Sequence, residues 1–214
     1  MIIIEGTDLV GKTTLAKTLV KTLNGSIEEI RRAGESIGHP VFTAIPGLTA
    51  SMRYQHLTVP PPGWDHRSDY LRMCDRNVVQ DRLWLSEMAY GKVTRGHSIV
   101  SDDRFWSLEA KARADFGAVT IVIIGRREQI EKEYKNKPLD RRELFEIDTI
   151  HKVNNSYAGL VNQWDLRAPT TWMLYDMNQL KCFGYPAENE DFILQVVERW
   201  TAAQVSCLAR SWRG

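Results

Sequence analysis

The chain has 214 residues, 43% of them hydrophobic and 26% charged, with a formal net charge of +1. That length suits one domain with a sizeable core, and the composition excludes a disordered or collagen-like chain. A near-neutral balance gives no general field to attract nucleic acid, the longest clean apolar run (Ala118 to Ile124) is far too short to span a bilayer, and Cys74, Cys182 and Cys207 lack metal-ligand spacing.

Met1-Ile2-Ile3-Ile4 is an apolar, β-branched run that predicts a buried strand, and Thr14 to Leu23 predicts a helix. With the strand starting at the first methionine, no secretory leader is expected before it, and free thiols suit a reducing cytoplasm. Ser26 to Ala50 reads as mixed and mainly helical, with breaks at Gly34, Gly38-His39-Pro40 and Pro46-Gly47. Arg53 to Val59 alternates weakly as a second strand and stops at Pro60-Pro61-Pro62-Gly63. A short helix over Ser68 to Arg76 leads into a strand, Asn77 to Gln80, that ends at Asp81-Arg82. Leu83 to Tyr90 predicts a helix closed by Gly91, and Ser101 to Phe116 predicts another, with Phe105, Leu108 and Ala112 on one face. Val119 to Ile124 reads as a buried strand, Arg126 to Val161 as charged and helical with a break near Pro138, Thr170 to Tyr175 as a last strand, and Asp191 to Leu208 as a last helix. Strands alternating with helices, with no repeat or linker, predict one α/β domain over 1–214: a parallel sheet flanked by helices in three layers.

Between the first strand and helix lies Gly6-Thr7-Asp8-Leu9-Val10-Gly11-Lys12-Thr13, which fits G-x-x-x-x-G-K-[ST] without a gap. Such a loop turns successive N–H groups inward, so Gly6, Asp8, Val10, Gly11, Lys12, Thr13 and Thr14 are the expected contacts of a nucleoside triphosphate. A solvent-facing Lys12 is expected at the β- and γ-phosphates, and the Thr13 hydroxyl at Mg²⁺. Asp81, at a strand end, is suited to hold Mg²⁺ through water or to accept a proton from a hydroxyl; its competing role is an N-cap for the next helix. Arg82 suits an acceptor phosphate or a carboxylate partner. Ser101-Asp102-Asp103 reads as a helix start, and His39, His56, His97 and His151 show no ligand spacing.

Ile4 to Thr14 resembles the opening of thymidylate kinases and related deoxynucleotide and deoxynucleoside kinases, which begin E-G-x-D-x-x-G-K-[ST]-T. Val79 to Gly91 resembles the Asp-Arg segment of that group, and is most similar in its Ser-Glu and Tyr-Gly to the small thymidylate-kinase-like proteins of phages. The resemblance implies a P-loop kinase fold, ATP with Mg²⁺, and a pyrimidine deoxynucleotide acceptor. It leaves open a free nucleoside, or a modified pyrimidine such as 5-hydroxymethyluracil in phage DNA, as well as a homodimer. Glu5 is then expected to orient the loop or its metal shell, and Tyr90 to line the acceptor site or the core.

Two departures bear on mechanism. Leu9 stands where some members carry an arginine, so the cation on the transferring phosphoryl group is expected from a lid at about 126–145, with Arg141 and Arg142 favoured over Arg126 and Arg127. Gly34 to Trp64 has no clear counterpart of the arginine-bearing acceptor segment, with Trp64 and His66 as candidates to stack on a base.

Overall fold

The computed structural model describes residues 1–36, 51–57, 69–138, 146–164, 171–179 and 184–211. Arg141, Arg142, Trp64 and His66 lie outside them. Five parallel strands form one sheet in the order β2-β3-β1-β4-β5, where β1 is Ile2–Gly6, β2 Arg53–His56, β3 Val78–Asp81, β4 Val119–Ile124 and β5 Trp172–Asp176. Every residue of β1, β3 and β4 is buried, as expected of strands covered on both faces.

Alternation along β1 divides the core. Ile2 and Ile4 pack with Leu15, Leu19, Val196 and Trp200, from helices α1 (Lys12–Ser36) and α7 (Glu190–Ser211). Met1 and Ile3 face the other way, onto Trp84, Leu85, Phe105, Leu108, Val153 and Tyr157. Those residues come from α3 (Trp84–Thr94), α4 (Asp102–Phe116) and α6 (Ile147–Trp164). The short α2 (Asp69–Arg72) precedes β3, and α5 (Arg127–Asn136) follows β4. The three expected layers are present. Among the described residues no helix is long and apolar enough to cross a membrane.

Four boundaries differ from the sequence expectation for physical reasons. Helix α1 runs through Asn24-Gly25-Ser26 to Ser36. Gly25 faces open space, Ser26 Oγ donates back to Thr22 O (3.2 Å), and Asn24 is engaged by Met52, accepting from its N–H at 2.7 Å. Gly91 does not end α3; it admits Glu87 and Arg95, which would lie within 3 Å of any Cβ there. Helix α2 covers only four residues of the predicted Ser68–Arg76 span, and β2 ends at His56 rather than Val59. Helix α4 begins as read, with Ser101 Oγ accepting from Arg104 N–H and Asp102 and Asp103 exposed in its first turn.

Candidate functional site

The strand order reverses direction at β1: β3 lies on one side and β4 on the other. A crevice outside the carboxyl ends of strands at such a switch point is where open α/β sheets bind ligands. The loop 7–11 occupies it, between β1 and α1.

The backbone of that loop depends on particular residues. Gly6 has φ +145°, and a Cβ there would sit 2.7 Å from Ile123 O. Gly11 has φ +80°, with the Tyr185 ring 3.0 Å from its would-be Cβ. Leu9 takes φ +67° without being glycine, a strained geometry held by its surroundings. Val10 anchors the loop from beneath, buried in the core against Gly125, where a Cβ would come within 2.6 Å of Val10. Thr7 Oγ1 donates to Ile150 O at 3.2 Å, tying the loop to α6.

Lys12 is not the solvent-facing residue the sequence led us to expect. It is 6% exposed and donates from Nζ to Thr7 O at 2.5 Å. Burial, with the Arg82 charge nearby, lowers its pKa to about 8, against the pull of Asp8, Asp81 and Glu5. Thr14, like Thr13, is exposed in the first turn of α1.

Register places Asp81 beside Ile4 of β1 and His56 of β2. Asp81 Oδ2 accepts from the Thr13 hydroxyl at 2.8 Å and from Tyr54 OH at 3.2 Å. Its Oδ1 is buried without a hydrogen-bond partner among the described residues. Asp81 does not cap α3. Leu83 is the N-cap residue, and the free N–H groups of Leu83 and Leu85 are taken by Glu5 Oε1 at 3.0 and 3.2 Å. Glu5 Oε2 accepts from Ser86 Oγ at 2.5 Å and Tyr157 OH at 3.3 Å. Glu5 therefore fixes the start of α3 while its charge also reaches Lys12, and burial raises its pKa to about 7 against those hydrogen bonds.

Arg82 follows Asp81 at φ +69°, a second non-glycine residue in left-handed backbone. It ion-pairs with Asp8 of the loop, and its guanidinium lies 4.6 Å from the Tyr90 ring centroid. Tyr90 OH also donates to Asp8, at 2.8 Å. Burial alone would raise the Asp8 pKa, but Lys12 and Arg82 outweigh it and hold Asp8 at about 2. Asp8 is thus a carboxylate at any ordinary pH, with Arg82 fixed against it.

Of the arginines expected in a lid, the described Arg126 donates to Met177 O at 2.6 Å, and exposed Arg127 pairs with Glu131 one turn along α5. Tyr54, His56 and Tyr185 reach the site without having been singled out for it by sequence. Tyr54 and His56 sit at alternate positions of the predicted second strand, the one local signal that could have found them. Burial depresses the His56 pKa. Among the described residues, no three His, Cys, Asp or Glu side chains converge as a metal cluster. Mg²⁺ needs no such cage, since it keeps most of its waters. The unpartnered Asp81 Oδ1 beside the Thr13 hydroxyl fits that requirement.

No family model matches the chain, and neither does any curated protein. Solved structures do. The chain is similar to the YorR protein of Bacillus subtilis, solved with phosphorylated GDP, at TM-score 0.60 and 17% identity over 92% of this chain and 96% of that one. It also aligns with deoxyadenosine kinase from M. mycoides with bound dCTP, at TM-score 0.45 and 14% identity over 94% and 100% of the two chains. The fold is that of a three-layer α/β P-loop protein.

Proposed function

We propose that this chain is an ATP-dependent phosphotransferase acting on a deoxynucleoside monophosphate, with a thymidylate-like pyrimidine as acceptor. The observation that carries the reading is the pairing of two charge sets across one loop: Lys12, Thr13 and Asp81 on one side, Asp8, Arg82 and Tyr90 on the other. The solved nucleotide complex of YorR supports a nucleotide in a fold of this kind.

In this reading the loop N–H groups and Lys12 bind the ATP phosphates, and Lys12 follows charge as it shifts toward the β–γ bridging oxygen. Arg82, immobilised by Asp8 and Tyr90, orients the acceptor phosphate. One acceptor oxygen bonds to the γ-phosphorus as the bond to the bridging oxygen breaks, giving ADP and a diphosphate. Thr13 and Asp81 would hold Mg²⁺, which supplies charge neutralisation on the transferring group. Further positive charge would come from Arg141 or Arg142.

One observation favours a second reading. A monophosphate acceptor needs no base, yet Asp81 Oδ1, the Mg²⁺ contact of the first reading, is equally suited as the base for a hydroxyl acceptor, being unpartnered among the described residues. That acceptor would be a deoxynucleoside or a modified pyrimidine in DNA, such as 5-hydroxymethyluracil. Calorimetric titration separates the two. The first reading expects dTMP to bind at least about tenfold tighter than thymidine, with the difference abolished in Arg82→Ala. Equal binding of the two, unaffected by that change, would reverse the preference.

A further inference from the structure

The far end of the molecule carries a second concentration of cationic side chains. Arg199, Ala202, Ala203, Ser206 and Arg210 lie on one face of α7, spaced by three, four and seven residues. With Arg113 of α4 and Thr171 before β5, they line a groove of about 350 Å³. Small residues between the two α7 arginines keep it open. The groove sits at the amino ends of β4 and β5, since Gln204 bonds Gly117 O and Arg199 bonds Trp172 O. The phosphate loop lies at the carboxyl ends. Six residues of β4 place the two sites ~20 Å apart along the strand direction.

A purely structural explanation exists for part of this. Arg199 Nη1 donates to Trp172 O at 2.6 Å, and Arg210 Nη2 donates to Arg113 O at 3.4 Å, at the negative end of the α4 dipole. Each of these bonds uses one of five guanidinium donors. None of the three arginines forms an ion pair with a described residue. Of the nearby carboxylates, Asp115 pairs with Lys111, and buried Glu109 accepts from Trp84, Trp172 and Thr120; Arg113 feels the Glu109 charge, which burial disfavours. Glu198 adjoins Arg199 in sequence, but successive helical residues do not face each other. Three positive charges therefore converge on one concave site with no ion pair to a described residue, in a chain whose net charge is only +1.

We infer that this groove is an anion site, separate from the phosphate loop, for a small ligand of the phosphate or polyphosphate class. Guanidinium forks match phosphate oxygens bidentately, the Ser206 and Thr171 hydroxyls supply further donors, and Ala202 and Ala203 give an apolar floor.

The test is titration calorimetry with inorganic pyrophosphate on Lys12→Ala, which weakens the phosphate loop so that binding elsewhere is read. One site is expected to remain. Adding Arg113→Gln with Arg199→Gln should weaken it at least about tenfold, the scale of lost charge-assisted hydrogen bonds. Adding Lys21→Gln, an exposed cation on α1, should leave it unchanged. Near-UV circular dichroism identical across the variants keeps the comparison valid, and Arg199→Gln alone serves if the double change disturbs it. No binding to Lys12→Ala, or equal weakening by Lys21→Gln, would overturn the proposal. So would displacement of pyrophosphate by a short single-stranded DNA at far lower phosphate concentration, which would make the groove a nucleic-acid surface.

Discussion

Replacing Glu5 by Gln should change how stability depends on pH. Glu5 is wholly buried and accepts from Leu83 N–H, Leu85 N–H, Ser86 Oγ and Tyr157 OH. Gln keeps one oxygen for the two N–H groups, and its amide can donate to the Ser86 and Tyr157 oxygens, which accept as readily as they donate. Only the charge is lost. In the folded chain the Glu5 pKa is raised from 4.5 to about 7, so between those values the native state holds a proton that the unfolded state has released. Stability then falls as pH rises through that window, and it is fully present only below it. At about 1.4 kcal/mol for each pH decade, the ionised carboxylate costs about 3 kcal/mol by pH 8. Urea unfolding at pH 5 and pH 8 measures it. Glu5→Gln should gain up to about 3 kcal/mol on the wild type between the two, its melting shift growing with pH. A difference between the proteins that is flat with pH would refute the assignment of Glu5 as a costly buried anion.

Lys12 gives the opposite sign: with its pKa lowered to about 8, the native state loses that proton before the unfolded state does. Stability without ligand should therefore rise between pH 8 and about 10 while ATP affinity falls, read by melting and calorimetry. Lys12→Ala should abolish ATP binding at the loop in the same titration, leaving only what the Arg113, Arg199 and Arg210 groove takes up. Asp81→Asn should lower kcat at least about a hundredfold if Asp81 is a base; melting run beside the kinetics checks that the fold is kept. Gly11→Ala should cost at least about 1 kcal/mol in urea unfolding and weaken ATP binding, because φ +80° and the Tyr185 ring both exclude a Cβ. Arg141→Ala with Arg142→Ala should lower kcat far more than ATP affinity, since the lost contact strengthens toward the transition state.

The phosphate loop was legible in the sequence because its constraints are local. Gly6 and Gly11 stand where the backbone takes positive φ, and β1 is an unbroken apolar run as a strand buried on both faces must be. The place of Asp81 was legible from the strand end it occupies, where Thr13 donates to it. Glu5 was not, because its partners lie 78 to 152 residues away and nothing near it in sequence records them. Tyr185 is hidden likewise: it meets Gly11 only once the segment after β5 returns beside the loop. Helix α1 runs past its expected end at Leu23 because Gly25, a glycine facing open space, costs only about 1 kcal/mol within a helix held by packing elsewhere.

Phosphoryl transfer from ATP to a pyrimidine deoxynucleotide, as proposed, leaves a label that can be followed. The direct measurement is incubation with Mg²⁺ and γ-labelled ATP against a panel of deoxynucleoside monophosphates, free deoxynucleosides, and DNA with or without 5-hydroxymethyluracil. Label is expected in a deoxynucleoside diphosphate, foremost dTDP formed from dTMP, and none with Lys12→Ala. ATP bound by the wild type with no label passed to any acceptor would contradict it, leaving a nucleotide-binding module without phosphotransfer.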